Sequence, residues 1–369
     1  MKKDNNNRFI ILIAFLLLWG CSVAKPETGT EHLIIASWNV QNLFDGSDNG
    51  NEYTEFKNSA GWNTEKYHAR LQSITSALKG DSRIKPDILA LIEVENGDVI
   101  RDLADSSCLD YLWFFFAGAP DGSIGLGVLS NLPLTETKTH SFHSENGSIP
   151  RPVAEIRVDT GSGPLVLFVC HWKSKVDGDK KTETLRRSAS ALIVRRLAEI
   201  EAENPGTPVI ILGDLNENHD EFFRIGATYP CALLPDTEEA AAFMHTVPGG
   251  TRPKFQDFLV LNKDMPPRTE YFSNTAGTVY SPWFEYKESS LKNQSKTAGS
   301  YYYKDSWETI DHFLLNAYLF GGNGWNYGNF RVLTEPPFTD DNGHPQPYNP
   351  RTGNGLSDHL PIVLILDKL

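Results

Sequence analysis

The stretch Val209-Ile210-Ile211-Leu212-Gly213-Asp214-Leu215-Asn216 decides the fold and carries the first functional clue. Its apolar residues, mostly β-branched, predict a strand that is buried on both faces, as in a sheet covered by other layers. A glycine, Asp214 and Asn216 follow at the strand end. Because strand side chains alternate with period two, we expect the carboxylate and the carboxamide to share a side, where they would align a water molecule or hold a phosphate oxygen. The alternative is a turn in which both residues bond only local backbone.

The same arrangement, an apolar strand that ends in polar residues, recurs along the chain and favours a functional site over a local turn. The further predicted strand ends carry Asn39 with Gln41, Glu93, His171, Asp311, and the adjacent pair Asp358-His359. A carboxylate at such a position suits a hard cation such as Mg²⁺. In an adjacent Asp-His pair, one residue can bind a metal ion while the other exchanges a proton, and a second carboxylate would orient the histidine. For Asn39 taken alone, a role in a turn is the equal alternative.

Two cationic groups complete this polar set. Arg151 precedes the alternating strand pattern of residues 153–158. Its planar guanidinium is suited to clamp a phosphate by two parallel hydrogen bonds, and a plain surface arginine is the alternative. His171 is followed by Lys173 and Lys175. A histidine among cations at a strand end suits the stabilisation of negative charge in a transition state.

Helical patterns separate the predicted strands. The apolar residues Tyr67, Leu71, Ile74 and Leu78 predict an amphipathic helix between Asn63 and Gly80. A second helix is predicted from Thr182 to Glu203, with its arginines on a solvated face. The alternation of strands and helices implies a covered sheet. The strand at residues 113–117 is assigned to the core, and from Asn216 to about Ser306 the pattern is weak.

Composition and charge limit the class of protein. The chain has 369 residues, of which 40% are hydrophobic and 22% charged, and these values are typical of a globular protein. Its formal net charge of -13 weakens the sequence-independent attraction to phosphates, although a local basic patch or bound divalent cations would offset this. Cys108, Cys170 and Cys231 have no metal-type spacing, and Cys170 is expected to be a buried thiol.

The start of the chain predicts export from the cytoplasm. Basic residues precede the apolar run Phe9–Trp19, which is too short for an ordinary transmembrane helix of about 20 residues. The following Leu18-Trp19-Gly20-Cys21 resembles the lipobox of bacterial lipoproteins, in which the cysteine is lipidated. We therefore expect a signal peptide at residues 1–20, a tether at 21–31, and attachment to the membrane of the bacterial cell envelope through a lipid on Cys21. The alternative is a cleaved secretory signal in which Cys21 is coincidental.

Taken together, the motifs resemble those of the endonuclease/exonuclease/phosphatase superfamily, which has the deoxyribonuclease I-like fold. The resemblance spans roughly residues 32 to 369, which we therefore assign to one such domain. In chain order, the matching segments are Ser37-Trp38-Asn39-Val40-Gln41-Asn42, Ile92-Glu93-Val94, Arg151-Pro152, His171, Gly213-Asp214-Leu215-Asn216, Ile310-Asp311-His312-Phe313-Leu314-Leu315 and Ser357-Asp358-His359-Leu360-Pro361. The resemblance implies an α/β (α+β) fold, a four-layer sandwich of two packed mixed β-sheets flanked by helices, with the site at one end.

The resemblance also implies a metal site. Glu93, Asn39 and Asp358 would contact the metal ion or the phosphate that it bridges. The ion would be Mg²⁺, with Mn²⁺ or Ca²⁺ as alternatives. Gln41 stands where the apurinic endonucleases have an acid, which weakens the case for a second metal position.

The remaining roles implied by the resemblance are catalytic. Asp214 would align the attacking water. His359, paired with Asp311, would act as a general base or stabilise charge. The phosphate would be contacted by Asn216, His171 and Arg151.

These expectations lead to one principal hypothesis and two alternatives. The principal hypothesis is a divalent-metal-dependent phosphodiesterase, a nuclease of the cell envelope with nucleic acid as its substrate. A sphingomyelinase-like phospholipid phosphodiesterase is the first alternative, since aromatic residues in the loops and a membrane tether would suit a lipid substrate. A catalytically silent surface-binding lipoprotein is the second, and the complete polar set argues against it.

Overall fold

The computed structural model describes residues 31–79, 85–105, 109–141, 151–246, 258–266, 270–271, 276–293, 296–322 and 324–368. The predicted signal peptide, almost all of the tether, Cys21 and Cys108 lie outside these ranges, so the predictions for them are not tested. Within the described residues, none of the helices has both the length and the apolar character that crossing a membrane requires.

The first large sheet contains the first and last strands of the domain. Its strands are β1 (His32–Leu43), β2 (Ile88–Val94), β3 (Trp113–Ala117), β4 (Gly125–Ser130), β15 (Trp325–Val332) and β16 (Ile362–Lys368). Their order across the sheet is β15-β16-β1-β2-β4-β3. Strand β1 pairs parallel with β2 and antiparallel with β16, which ties the two ends of the domain together.

The second large sheet contains the stretch that decides the fold. Its strands are β5 (Leu134–His140), β6 (Val153–Asp159), β7 (Pro164–His171), β8 (Val209–Asp214), β9 (Leu233–Pro235), β10 (Leu259–Asn262), β11 (Thr278–Tyr280) and β14 (Asp311–Leu315). Their order is β5-β6-β7-β8-β14-β11-β10-β9. A separate hairpin is formed by β12 (Tyr301–Tyr303) and β13 (Ser306–Glu308).

The described helices are α1 (Thr64–Lys79), α2 (Gly97–Asp105), α3 (Asp179–Glu203), α4 (Glu221–Arg224), α5 (Glu238–Thr246) and α6 (Trp283–Asn293). The sequence prediction of α1 and α3 is confirmed, apart from three residues at the start of α3. The predicted architecture, two mixed sheets packed together and flanked by helices, is also confirmed.

Side chains along a strand alternate between the two faces of its sheet, and this explains why the central strands are apolar at every position. On β8, Ile210 and Leu212 pack between the two sheets, whereas Val209 and Ile211 pack on the other face of their sheet with Ile193 of α3. The two sets of side chains enter different cores because successive residues of a strand point to opposite faces. A strand covered on both faces therefore presents polar groups only at its ends.

Two predictions about individual elements are wrong. Arg186 of α3 is only 1% exposed, and it pairs with Glu183 and Glu217 instead of lying on a solvated face. Strand β3 is an edge strand whose Trp113 and Phe114 are 43% and 42% exposed, so these side chains are not in the core. Both errors have one cause, since the pattern along one element does not show which other elements cover it.

The segment after Asn216 contains regular structure that its weak pattern did not indicate. Strands β9, β10 and β11 have only three or four residues each and complete one side of the second sheet. Such short strands give no periodic signal over a usable window.

An ion-pair cluster on β6 connects the second sheet to α3. The buried carboxylate of Glu155 accepts hydrogen bonds from Arg196 Nε at 2.8 Å and Nη2 at 2.9 Å, and it lies 2.7 Å from His140 Nε2. Burial alone would raise the pKa of Glu155, but the hydrogen bonds from His140 and Arg196 outweigh it and lower the pKa to about 2. The ionised form is therefore favoured in the folded protein.

We expect Glu155→Gln to lower the free energy of unfolding by about 1–2 kcal/mol at pH 7. Because the folded pKa of Glu155 lies below the ordinary value, its ionic contribution is complete above about pH 4.5 and is lost as the pH falls towards 2. Urea unfolding at pH 7 and pH 3.5 checks this, since the difference between wild type and variant should shrink at the lower pH. A difference that stayed constant would contradict the assignment.

Candidate active site

Strand register brings three of the predicted residues to one end of the second sheet. Strand β7 runs parallel to β8 with His171 opposite Asp214, and β14 runs antiparallel to β8 with Asp311 opposite Asp214. The polar ends of the three neighbouring strands therefore meet at the same level. Asp214, His171 and Asp311 are all buried there.

Gly213 allows this convergence. It has a φ of +118°, and a Cβ atom at this position would lie 2.1 Å from the carbonyl oxygen of Cys170 on β7. Any larger residue would have to push β7 and β8 apart or change the backbone that leads into Asp214. Glycine is required here for the close approach of the two strands.

Asn39 connects the two sheets at this end. Its Nδ2 donates hydrogen bonds to Glu93 Oε1 at 3.3 Å and to Asp214 Oδ2 at 3.1 Å. Its Oδ1 accepts from the backbone N–H of Gln41 at 3.0 Å, which fixes the orientation of the amide. Glu93 is fixed in turn by the backbone N–H of Asn42, 3.0 Å from Oε2. A residue of β1 thus holds a carboxylate of its own sheet and one of the facing sheet.

Both predicted histidines approach the same oxygen of Asp214. The Nε2 atoms of His171 and His359 lie 3.6 and 4.0 Å from Asp214 Oδ2. Burial raises the pKa of Asp214 to about 7. The positive charge of His359 acts to lower this pKa, whereas the negative charge of Asp311 raises it further. A carboxyl group with such a pKa can accept a proton near neutral pH.

Asp311 and His359 form the predicted pair. The Nδ1–H of His359 donates to Asp311 Oδ2 at 2.8 Å, and Ser300 Oγ donates to the same oxygen at 2.6 Å. Burial disfavours the protonated form of His359. The hydrogen bond and negative charge of Asp311, together with the charges of Asp358 and Asp214, outweigh burial and raise the pKa of His359 well above its ordinary value. His359 is therefore a cation whose Nε2–H points towards Asp214.

His171 has the opposite electrostatic state. Burial, together with the charges of Arg151 and His359, holds its pKa well below the ordinary value, so the imidazole is neutral. Arg151 Nη1 donates to His171 Nε2 and also to the carbonyl oxygen of Trp172 at 2.9 Å. The guanidinium is thereby placed beside the buried carboxylates.

Asn216 combines the two alternatives that the sequence left open. Its backbone N–H donates to Asp214 Oδ1 at 2.9 Å, which is a local turn contact. Its side-chain Nδ2 donates to the carbonyl oxygen of Trp172 at 3.1 Å, next to Arg151. The residue lies at the edge of the site, and its predicted contact with a phosphate oxygen stays a prediction.

The arrangement of carboxylates fits a divalent cation. Glu93, Asp214 and Asp358 lie near one another, and burial together with the charge of Asp358 raises the pKa of Glu93. The carboxylate oxygens of Asp214 and Asp311 lie within 4.8 Å of each other and could also hold a metal ion. Asp311 Oδ1 is buried and has no hydrogen-bond partner in the described part of the chain. These are hard oxygen donors of the kind that Mg²⁺, Mn²⁺ and Ca²⁺ bind.

Asp358 has a different environment from the other predicted metal ligands. It is half-buried, and its backbone N–H donates to Gln41 Oε1 at 3.0 Å. The assignment of the metal ligands to Glu93, Asn39 and Asp358 stays a prediction.

Strand alternation did not hold beyond Asn39. Gln41 and Asn42 have φ values of 51° and 59°, and the register between β1 and β2 shifts between Asn39 and Leu43. Gln41 consequently turns away from Asn39, and its Oε1 accepts the backbone N–H groups of Tyr348 and Asp358 at 2.7 and 3.0 Å. Its role is to fix the loop that carries Asp358.

Two supporting residues were not predicted as site residues. Ser300 holds Asp311, and Ser357 Oγ donates to the carbonyl oxygen of Asn39 at 2.6 Å while accepting from the N–H of His359 at 3.0 Å. Serines in polar loops are common, and only the folded chain shows that these two contact the site. The nearest available signal was that Ser357 precedes the Asp-His pair.

Comparison with known proteins gives the family of this chain. Residues 34–223 match a family model described as Endonuclease/Exonuclease/phosphatase family. The chain belongs to this family. Membership indicates a hydrolase that acts on phosphoester bonds, in a family whose enzymes generally depend on a divalent metal. No curated protein matches the chain significantly.

Several solved structures are similar to this chain. Truncated TDP2 from Caenorhabditis elegans is 15% identical, with a TM-score of 0.50 over 91% of this chain and 98% of that one. D. rerio TDP2 complexed with a single-strand DNA product is 15% identical, with a TM-score of 0.48 over 91% and 98%. An endonuclease/exonuclease/phosphatase family protein from Bacteroides thetaiotaomicron is 14% identical, with a TM-score of 0.48 over 92% and 99%. The likeness to C. elegans TDP2 shows the deoxyribonuclease I-like fold.

We expect Gly213→Ala to lower the free energy of unfolding by roughly 2–5 kcal/mol and to reduce turnover sharply, because the added methyl group displaces Asp214. Gly161→Ala is the matched control, since Gly161 also has a positive φ of +72° but has open space around its Cβ position. The control should lose only about 1–2 kcal/mol and keep its turnover. Equal losses in the two variants, measured by urea unfolding and by activity, would refute the role of close strand approach.

Proposed function

We propose that this chain is a divalent-metal-dependent phosphodiester hydrolase that cleaves nucleic acid in the bacterial cell envelope. The proposal rests on one observation. The buried carboxylate of Asp214 is held by Asn39 and lies between a neutral and a cationic histidine. A group of this kind can accept a proton from water while cationic groups beside it receive the developing negative charge.

Each residue of the site would have its own role in the reaction. Asp214 orients the attacking water and accepts its proton. The Nε2–H of His359, kept charged by Asp311, donates to a phosphate oxygen as negative charge builds up. Arg151 donates to the other phosphate oxygens, and neutral His171, whose Nε2 accepts from Arg151, orients the guanidinium. A divalent cation held by Glu93, with Asp358 beside it, would neutralise the phosphate and stabilise the leaving oxygen, and Asn39, whose Nδ2 faces the site, would donate to a phosphate oxygen.

The placement of the site favours a substrate from the aqueous phase over a membrane phospholipid. Strand β1 begins at His32, directly after the predicted tether, and Asn39 is its eighth residue. At about 3.3 Å per residue, the strand separates the site from the tether side of the domain by about 23 Å. A site this far from the attachment point of the tether does not require contact with the membrane surface.

We expect purified residues 22–369 to cleave plasmid DNA or RNA with Mg²⁺, Mn²⁺ or Ca²⁺ and to be inactive with chelator. Asp214→Ala and His359→Ala should each lower kcat by about 10²–10⁴-fold, because each removes a group that takes part in proton transfer or charge stabilisation. Asp159→Ala, at the opposite end of β6, is the control and should keep full activity. Product release measured on gels gives the rates.

Sphingomyelin is the second substrate in the same assay. Cleavage of sphingomyelin alone would replace the nucleic acid assignment by the phospholipid one. Full activity of Asp214→Ala, with folding intact, would disprove the assignment of the site itself.

For the location, we expect Cys21→Ser to abolish labelling by radioactive palmitate and to move the full-length protein from the membrane fraction to the soluble one. The physical reason is that a lipid chain contributes about 0.8 kcal/mol for each buried methylene group, which a serine cannot provide. Cys108→Ser is the control and should stay in the membrane fraction. Unchanged labelling of Cys21→Ser would show that Cys21 is not the lipidated residue.

A further inference from the structure

The hairpin of β12 and β13 places a row of aromatic rings beside the candidate active site. It directly follows Ser300, which holds Asp311, and the backbone N–H of Leu360 donates to the carbonyl oxygen of Ser300 at 2.7 Å. Tyr301 forms an antiparallel bridge with His359. The base of the hairpin is therefore attached directly to the backbone of the catalytic histidine.

Successive tyrosines of β12 point to opposite faces of the hairpin, as expected of a strand. Tyr302 points away from the site and packs on Trp307 and on His344, with ring centroids 5.1 and 3.8 Å apart. These contacts fix the hairpin against the loop that carries His344. Tyr301 and Tyr303 share the other face.

The rings on the site face form a continuous series. The ring of Tyr301 lies 4.5 Å from the imidazole of His359 with an angle of 31° between the planes. The ring of Tyr303 lies 6.0 Å from that of Tyr301 and is nearly parallel to it, at 18°. Tyr303 is 49% exposed, so the series runs from the buried histidine out to solvent.

We propose that the face formed by Tyr301 and Tyr303 stacks an unpaired nucleobase next to the scissile phosphate, so that the enzyme acts on single-stranded nucleic acid. This inference rests on the proposed function, and it adds the class of nucleic acid. A base in a duplex is already stacked and paired with its neighbours, whereas a base in a single strand is free to lie on a protein ring.

The charge of the protein gives a reason for this mode of binding. With a formal net charge of -13, the chain gains little affinity from general attraction to the phosphate backbone. Stacking on aromatic rings does not depend on net charge, and it accepts any base because every base has a π face. Ring contacts would therefore supply binding that the acidic surface does not.

Lys304, at the tip of the hairpin, fits this arrangement. Its Nζ lies 5.0 Å from the centroid of the Tyr303 ring, and both residues are exposed. An exposed contact of this kind is weak, so a base would displace the ammonium group from the ring. The freed cation would then be close to the phosphate on the outer side of that base.

The experiment compares oligonucleotides that differ only in the presence of a base. Two fluorescein-labelled single strands are used, one with natural bases and one with tetrahydrofuran residues flanking the cleavage position. For the wild type with Mg²⁺, we expect kcat/KM to be about ten-fold higher on the strand with bases, a size typical of stacking on one aromatic ring. In Tyr303→Ala this preference should fall to less than two-fold, and in Tyr303→Phe it should remain.

Tyr318→Ala is the matched control, because Tyr318 is also a half-exposed tyrosine, 42% exposed, and lies beyond the far end of β14. It should keep the wild-type preference. The wild type should also cleave the natural single strand faster than the same sequence in a duplex.

The outcomes separate this inference from the proposed function. Cleavage of both strands at equal rates by the wild type would overturn the stacking inference while leaving the nuclease assignment in place. An unchanged preference in Tyr303→Ala would overturn it as well. Weaker binding of Tyr303→Ala to sphingomyelin-phosphatidylcholine vesicles, with unchanged oligonucleotide kinetics, would assign the hairpin to lipid contact. No cleavage of any nucleic acid by the wild type would instead refute the proposed function.

Discussion

The candidate site depends on one hydrogen-bonded amide, that of Asn39, which holds Glu93 of its own sheet and Asp214 of the facing sheet. The two carboxylates belong to different sheets, and their separation is set by how the sheets pack. Packed protein interiors resist small changes of volume, so this packing fixes the separation more firmly than any loop could. The apolar core between the sheets is thus a functional part of the site, although it contains no reactive group.

The site also requires charges to be buried together. Isolated buried charges are strongly unfavourable, and here they are compensated by one another, with the carboxylates of Glu93, Asp214 and Asp311 placed against Arg151 and His359. Because the compensation is uneven, the pKa values are shifted in opposite directions: those of Asp214 and His359 are raised and that of His171 is lowered. A divalent cation would add positive charge to this set of buried groups, and the phosphate of a substrate would add negative charge. The site could therefore bind both together, as the hydrolysis of a phosphodiester requires.

The fold could be predicted in outline because its central elements repeat a simple pattern. An uninterrupted apolar strand such as β8 implies a covered sheet, and the spacing of apolar residues identified α1 and α3. The prediction failed where an element is short or where burial depends on a distant partner. Strands β9 to β11 are too short to show a period, and Arg186 is buried because Glu217, from the loop after β8, lies over its helix.

The sequence by itself determined which chemical groups stand at the strand ends, because the side-chain period and the apolar runs are local properties. Asn39, Glu93, His171, Asp214 and Asp311 were all identified in this way, and the family resemblance gave their roles. Only the tertiary structure decided how these groups are paired, that Gln41 leaves the site, and that Tyr301 lies on His359. The physical reason is that such contacts join residues far apart in the chain, and their geometry follows from sheet packing and backbone conformation, which no local pattern records.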